Sequence, residues 1–480
     1  MFSKPTLTIN KIIHWLLLLF LFLLPWHTRY MYDWAYLNGG FWEYGSGSLF
    51  ATEILLWIII VLFFADLVKN RRFNAEWRKN KKGLFLCATA FLFLIAHIVF
   101  GSNPKISFQF VFRLLEGAAL MVIIARSVSP TRTLLLALWS GGVVQGVLAL
   151  WQFFNQEIIA NKWLGLAHHS AKQLGDFVVE FGDERWLRAY GSFGSPNMLG
   201  GFLAVCWVIG LLLYLSHCRG VLSRHSGTPS IGGSEGAGIY APSSDRNKMD
   251  KSTDNEGVQQ YAPTRRRLPI LITIGQLIIF SGLILSFSRG AWIAAASGVI
   301  VLLSILYRAR APLQSIGRQL VFSFLLFTFY SLLLTPLFTT RLSTTPRLEA
   351  KSIAERQNQY REASQIITRN PSTFLFGVGP GKYTYALWRQ DKWRPVWQYQ
   401  PVHNVYMLMI AEVGVVGFTI VFLFSCFLVR KIWRTNPLYL SVIVAILISG
   451  LFDHFWWSLY GGQMIWWGVL AVSLSHSPID

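Results

Sequence analysis

Four basic side chains have the types and settings that could do chemistry: Arg188, Arg289, Arg356 and His403. Arg188 stands just ahead of a Gly/Ser/Pro/Asn turn in RAYGSFGSPNMLGG, and such turns can present backbone N–H groups to an anion. Arg289, in SFSRGAW, falls in a very short turn between two apolar runs. A charge at membrane depth is costly, which makes it a functional candidate, the alternative being an arginine that snorkels to the interface. Arg356 belongs to EAKSIAERQNQYREASQIITR, where Ile353, Tyr360, Ala363 and Ile367 recur at helical spacing. That pattern predicts an amphipathic helix on the membrane surface, with Arg356 one turn from both Ile353 and Tyr360 and so able to point toward the bilayer. His403 immediately precedes the apolar run VYMLMIAEVGVVGFTIVFLFSCFLV. An imidazole there titrates near neutral pH and suits a general base, or else is a satisfied structural residue. Several guanidiniums at an outer membrane face suit an anionic substrate, most naturally a pyrophosphate.

The elements that must position these residues are mostly apolar helices. Of 480 residues, 53% are hydrophobic, and the mean hydropathy is +0.43. This composition excludes an ordinary soluble domain and predicts an all-α integral membrane protein. About 20 apolar residues cross the hydrocarbon core, and about twelve stretches qualify, from Ile12–Leu24 to Gln463–Leu474. The expected organisation is helices 1–5 over 1–153, a loop at 154–197, helix 6 over 198–216 and an insert at 217–268. Helices 7–9 follow over 269–337, then a large loop at 338–403 and helices 10–12 over 404–480.

The formal net charge of +20 would suggest nucleic acid in a soluble chain, but in a membrane protein the question is which loops carry it. Lys69, Arg71, Arg72, Arg78, Lys79, Lys81 and Lys82 crowd one short loop. The positive-inside rule makes that loop cytoplasmic, places both termini inside, and puts 27–50, 155–197 and 339–402 outside. The last of these holds Arg341, Arg347, Lys351, Arg356 and further cations, a cationic surface that fits an anionic lipid-linked substrate. The insert, rich in Gly, Ser, Pro and Asp, is expected to be disordered. Four cysteines show no pairing or zinc spacing, so neither disulfides nor zinc is implied. Arg113 and Glu116, at i and i+3, are expected to pair inside the bundle. His168-His169 and Asp183-Glu184 lack a third ligand at usable spacing and read as solvated loop residues. Trp388, Trp393 and Trp397 suit stacking on sugar rings or an interfacial aromatic belt.

Taken together, these stretches resemble the bacterial O-antigen ligase and O-antigen polymerase family. RAYGSFGSPNMLGGF resembles its Arg, then Gly-x-Phe-Gly-x-Pro-Asn segment, and SFSRGAW its Ser-Arg-Gly turn. AERQNQYREASQIITRNPSTFLFGVGPGKY resembles the helix of its large periplasmic loop. His403-Asn404, nine residues, Gly414, two residues and Gly417 follow the ligase motif. The resemblance runs over about 185–460. It implies a metal-independent, inverting glycosyltransferase without cofactor in the bacterial inner membrane, its active site facing the periplasm. Its donor would be an undecaprenyl-pyrophosphate-linked glycan. Arg188, Arg289 and Arg356 would hold the pyrophosphate, and His403 would orient or deprotonate the acceptor hydroxyl. A lipid A-core acceptor leads; a second lipid-linked repeat (polymerase) and a protein acceptor follow. A polysaccharide transporter belongs to another class, and it is disfavoured because the ionisable residues sit in loops rather than at the bilayer midplane.

Overall fold

A computed structural model describes residues 9–69, 92–99, 103–127, 129–225, 262–311 and 313–475, excluding the side chains of 218–225, 262–267 and 315. Sixteen helices are labelled here in chain order. They are α1 (Ile9–Leu23), α2 (Ala51–Lys69), α3 (Pro104–Arg126), α4 (Thr131–Asn155), α5 (Pro196–His225) and α6 (Ala262–Leu285). Next come α7 (Arg289–Arg308), α8 (Gln314–Leu333), α9 (Thr335–Leu342), α10 (Arg347–Ile367) and α11 (Pro371–Phe376). Last are α12 (Tyr383–Gln390), α13 (Val405–Thr435), α14 (Leu440–Ser449), α15 (Phe455–Ser458) and α16 (Tyr460–Leu474). Residues 92–99 are also helical.

Among the described residues, eight helices are long and apolar enough to cross a membrane, so the chain is a multi-pass membrane protein. They are α2, α3, α4, α7 and α13, with 196–217 of α5, 268–285 of α6 and 316–333 of α8. The first and eleventh expected spans form shorter apolar helices, Ile9–Leu23 and Pro437–Ser449. Most of the third expected span (84–91 and 100), the basic cluster beyond Lys69, and 226–261 of the insert lie outside the described residues.

Two readings need correction. The insert is not loop from end to end, because α5 runs on to His225 and α6 begins at Ala262. Helix propagation from a membrane-embedded segment is far cheaper than nucleation, so it extends into polar sequence. Arg113 also does not pair with Glu116. Its Nε lies 3.9 Å from Glu53 Oε1 and its Nη2 donates to Ser48 O at 3.0 Å, whereas Glu116 accepts from the Trp57 indole. Helix α2 thus supplies partners to both.

Among the described residues there are two large cores, with a small third one around Ile158, Val178, Leu187 and Tyr190. The larger packs α1, α2 and α4–α7 with α14 and α16, around Phe202, Leu283 and Met464. The second joins Trp42, Phe110, Ala363, Tyr383, Leu408 and Trp457, and so ties the 29–50 loop, α3, α10, α12, α13 and α15 together at one end of the bundle. The described residues also form four two-stranded antiparallel sheets. Arg29–Asp33 (β1) pairs with Gly47–Phe50 (β4), and Tyr36–Leu37 (β2) with Gly40–Phe41 (β3). Glu157–Ile158 (β5) pairs with His169–Ser170 (β6), and Val178–Phe181 (β7) with Glu184–Leu187 (β8).

Candidate active site

The turn between α6 and α7 gathers three guanidiniums. Phe287, fully buried, takes a left-handed backbone at φ 46°, a conformation that costs on the order of 1–3 kcal/mol outside glycine. It turns two successive carbonyls toward two arginines. Arg188 Nε donates to Ser286 O at 2.8 Å, and Arg341 Nε donates to Phe287 O at 2.8 Å. Arg289 opens α7, donating through Nη1 to Arg341 O and through Nη2 to Glu349 Oε2, both at 3.1 Å. Glu349, only 2% exposed, also accepts from Arg341 and so clamps two guanidiniums at once.

Arg188 is buried, with Asn197 Oδ1 at 2.8 Å as its other acceptor. Burial first, then the neighbouring Arg341 charge, pushes it well below its ordinary pKa. A guanidinium stays charged regardless, so the shift marks a buried cation short of counter-charge. Arg341 is lowered by burial and pulled back up by Glu349. Arg356, half-buried on α10, is close enough for its charge to lower Arg188, Arg341 and His403. Four guanidiniums against one carboxylate leave a net +3 at this end of α10.

Helix α10 carries the link to His403. Glu349, Arg356 and Ala363 recur every seven residues, with Gln359 three beyond Arg356, so these positions share one face. The apolar stripe expected at the membrane surface packs instead on the second core through Ala363, Ile366, Tyr360 and Ile367, because α12 and α13 offer it an apolar partner. Gln359 Oε1 accepts from His403 Nδ1 at 2.9 Å and from its backbone N–H at 3.4 Å. Two donors meeting one oxygen assign the proton to Nδ1 and leave the Nε2 lone pair free. Burial, its largest cause, holds this imidazole below the ordinary 6.5 against an upward pull from Asp453, with Arg356 adding a smaller push down and Glu355 a smaller pull up. It is therefore neutral, and able to accept a proton, near pH 7.

The rest of the motif has structural work. Asn404 caps α13, its side chain accepting from the Tyr406 and Met407 N–H groups at 3.0 and 3.1 Å, which fixes His403 at the helix mouth. Gly414 interrupts α13 at φ 67°, ψ 179°. A Cβ there would meet Leu375 O at 2.3 Å, and one on Gly377 would meet Glu412 O at 2.3 Å. Two backbones touch at this kink, and only glycine fits either side. Gly417 lies against the Phe93 ring. The FGVGPGKY turn hangs from the same kink, with Val378 N–H donating to Ala411 O at 2.9 Å and Gly379 N–H to Glu412 O at 2.8 Å.

The structure thus brings together all four nominated residues, Arg188, Arg289, Arg356 and His403. It adds Glu349, Gln359 and Arg341, the last counted from sequence only among the loop cations. It also adds His454, whose ring meets His403 edge-on at 5.2 Å; burial lowers His454 to about 4. The helical spacing of Glu349, Arg356 and Gln359 was the signal for two of these. Nothing in sequence brings His454 to His403. Among the described residues, no three His, Cys, Asp or Glu side chains group at metal-binding distance. His169 instead bonds Asp176 at 2.7 Å and stacks on Tyr190.

Residues 274–422 match the family model described as O-antigen ligase, so the chain carries a domain of that family. The match spans Arg289, Arg356, His403 and both motif glycines, and ends short of Arg188. No curated protein matches the chain. The domain implies an enzyme of glycosyltransferase type, from a family of lipid-linked glycan ligases and polymerases.

Proposed function

We propose that this protein is an O-antigen ligase, moving a glycan from undecaprenyl pyrophosphate to a lipid A-core hydroxyl on the periplasmic face, with inversion and without a metal. The observation that carries the reading is the shared face of α10. One helix holds the guanidinium cluster through Glu349 and Arg356 and holds His403 through Gln359.

In this reading, Arg188, Arg289 and Arg356 bind the donor pyrophosphate, with Arg341 supporting them. His403 Nε2 takes the acceptor hydroxyl proton as the acceptor oxygen attacks the anomeric carbon. The bond from that carbon to the pyrophosphate oxygen breaks, and its electron pair leaves with undecaprenyl pyrophosphate. The net +3 cluster stabilises that charge as it develops, the contribution expected of fixed donors in a desolvated site, and positioning supplies much of the remainder. Both termini on the cytoplasmic side follow from the positive-inside rule.

The test is a product assay on purified protein given undecaprenyl-pyrophosphate-linked oligosaccharide, with and without lipid A-core. Glycan on lipid A-core is the expected result. Longer lipid-linked chains formed without that acceptor would make it a polymerase, and an intact donor in both arms would overturn the transferase reading.

A further inference from the structure

A second polar region, of different character, touches His454 through Ser458 and Tyr44. A cavity of about 70 Å³ opens between the β1–β4 loop, α3, α12 and the α15–α16 junction, with room for about five waters or one sugar-sized ring. Its charged lining is Arg29, Arg113, Glu43 and Glu412. By formal count its two cations and two anions balance, so the cavity lacks the cationic excess of the guanidinium cluster. It presents instead donors and acceptors, from Gln109 among others, beside the Tyr44 and Phe110 rings.

Aromatic rings continue from this cavity out to the surface. Trp42 donates through Nε1 to the cavity-lining Thr384 at 3.2 Å and stacks on Tyr385 at 6.1 Å, which stacks on Trp388 at 5.5 Å. The Trp388 indole donates to Asn38 Oδ1 at 3.1 Å, and Asn38 donates to Arg394 O at 2.8 Å. These bonds dock the β2–β3 hairpin on the 391–399 segment. The hairpin leaves Trp34 56% and Tyr36 61% exposed, with Trp34 against Phe41 at 5.3 Å. The row is thus held by hydrogen bonds with its outer rings bare. Carbohydrates, which bury C–H faces on aromatic rings while their hydroxyls bond polar groups, match such a surface.

We propose that this cavity, together with the Trp388 and Trp34 rings on the surface beyond it, forms a cleft that binds the neutral sugar rings of a glycan. As a deepening of the ligase reading, it is the subsite that holds the acceptor glycan. The path to His403 supports this. Ser458 lines the cavity and bonds His454 Nδ1 at 2.6 Å, and Tyr44 meets the His454 ring at 6.2 Å. Pyrophosphate and acceptor then occupy chemically distinct regions.

The test needs no turnover. Full-length protein in lipid nanodiscs is titrated with neutral glucose, galactose and mannose di- to tetrasaccharides and read by saturation-transfer NMR. At least one sugar is expected to bind. Trp34→Ala with Trp388→Ala should weaken it about five-fold or more, whereas Arg289→Ala and an excess of inorganic pyrophosphate should leave it unchanged. No saturation transfer from any sugar, equal transfer in the double variant, or displacement by pyrophosphate each overturns the proposal. A change only in vesicle partitioning would assign the rings to the membrane interface instead. Because binding is read directly, a protein that binds sugars here yet transfers no glycan would sink the ligase reading and keep the cleft.

Discussion

The guanidinium cluster and the neutral cleft are built in opposite ways. In the first, Arg188, Arg289, Arg341 and Arg356 face a single carboxylate, Glu349, and the shortage of counter-charge is borne by a left-handed Phe287 and by buried backbone carbonyls. In the second, two cations meet two anions and aromatic rings provide the surface. An uncompensated buried charge costs free energy until an anion arrives, so the first region is poised for an anion, pyrophosphate in the proposed reaction. The second has no such deficit and can select by shape and hydroxyl pattern. His403 is kept neutral chiefly by burial, which outweighs the upward pull of Asp453.

The largest expected effects test the division at its centre. His403→Ala should lower turnover by about 10²–10⁴-fold while membrane insertion stays intact. Arg289→Ala should cost about 10²–10³-fold, with Arg289→Lys restoring part of it because lysine keeps the charge and loses the fork. Both are read as rates of glycan appearing on acceptor. Near-normal transfer by the His403 variant would remove the imidazole from the chemistry.

Glu349→Gln sharpens the comparison at smaller magnitude. The amide keeps the shape, but it turns a donor toward one of two guanidiniums and leaves the cluster one charge more positive. Donor affinity should hold or rise, while turnover falls about ten-fold as Arg289 loses its fixed position and product pyrophosphate leaves more slowly. A variant with unchanged kcat and KM would show that Glu349 does not position the cluster.

The sequence showed much of this site because four of its parts are local. Arg356 falls one turn from Ile353 and Tyr360, Asn404 directly precedes the helix after His403, and the glycines of FGVGPGKY mark a tight turn. The Ser-Arg-Gly turn is short enough to fix Arg289. What sequence did not show depends on distant packing. Helix α2 delivers Glu53 to Arg113 and so takes it from Glu116, and no spacing rule reaches across 60 residues of chain. His454 meets His403 because Val405 N–H bonds Gly450 O at 2.8 Å, pinning two helix ends together. Nothing in the sequence of the first loop points to the segment before His403, yet its Trp42 and Asn38 dock it there.

A change of pH separates the buried imidazoles from the exposed surface. His27 and His454 both fall to about 4, chiefly through burial, from an ordinary 6.5. Between those values the unfolded chain binds protons that the folded one refuses, so stability must decline as pH falls from 6.5 toward 4. The same logic keeps His403 unprotonated into mildly acidic solution, so transfer should persist somewhat below pH 6.5. Thermal unfolding and initial rates across this range check both; a rate that halves at pH 6.5 or above would show an imidazole with no depression.

The smallest effect bears on the cleft alone. Tyr44 lines the cavity and its hydroxyl donates to Gln400 Oε1 at 3.0 Å. Tyr44→Phe removes that donor and keeps the ring. A net contribution of about 0.5–1.5 kcal/mol for one hydrogen bond corresponds to a loss of roughly two- to twelve-fold in affinity if the hydroxyl or the freed Gln400 meets sugar. The loss should appear in the acceptor KM, with donor KM unchanged, because none of the arginines proposed to hold pyrophosphate lines this cavity. A shift in donor KM instead would mean that the two regions act as one site, and that the difference in their charge does not divide the substrates between them.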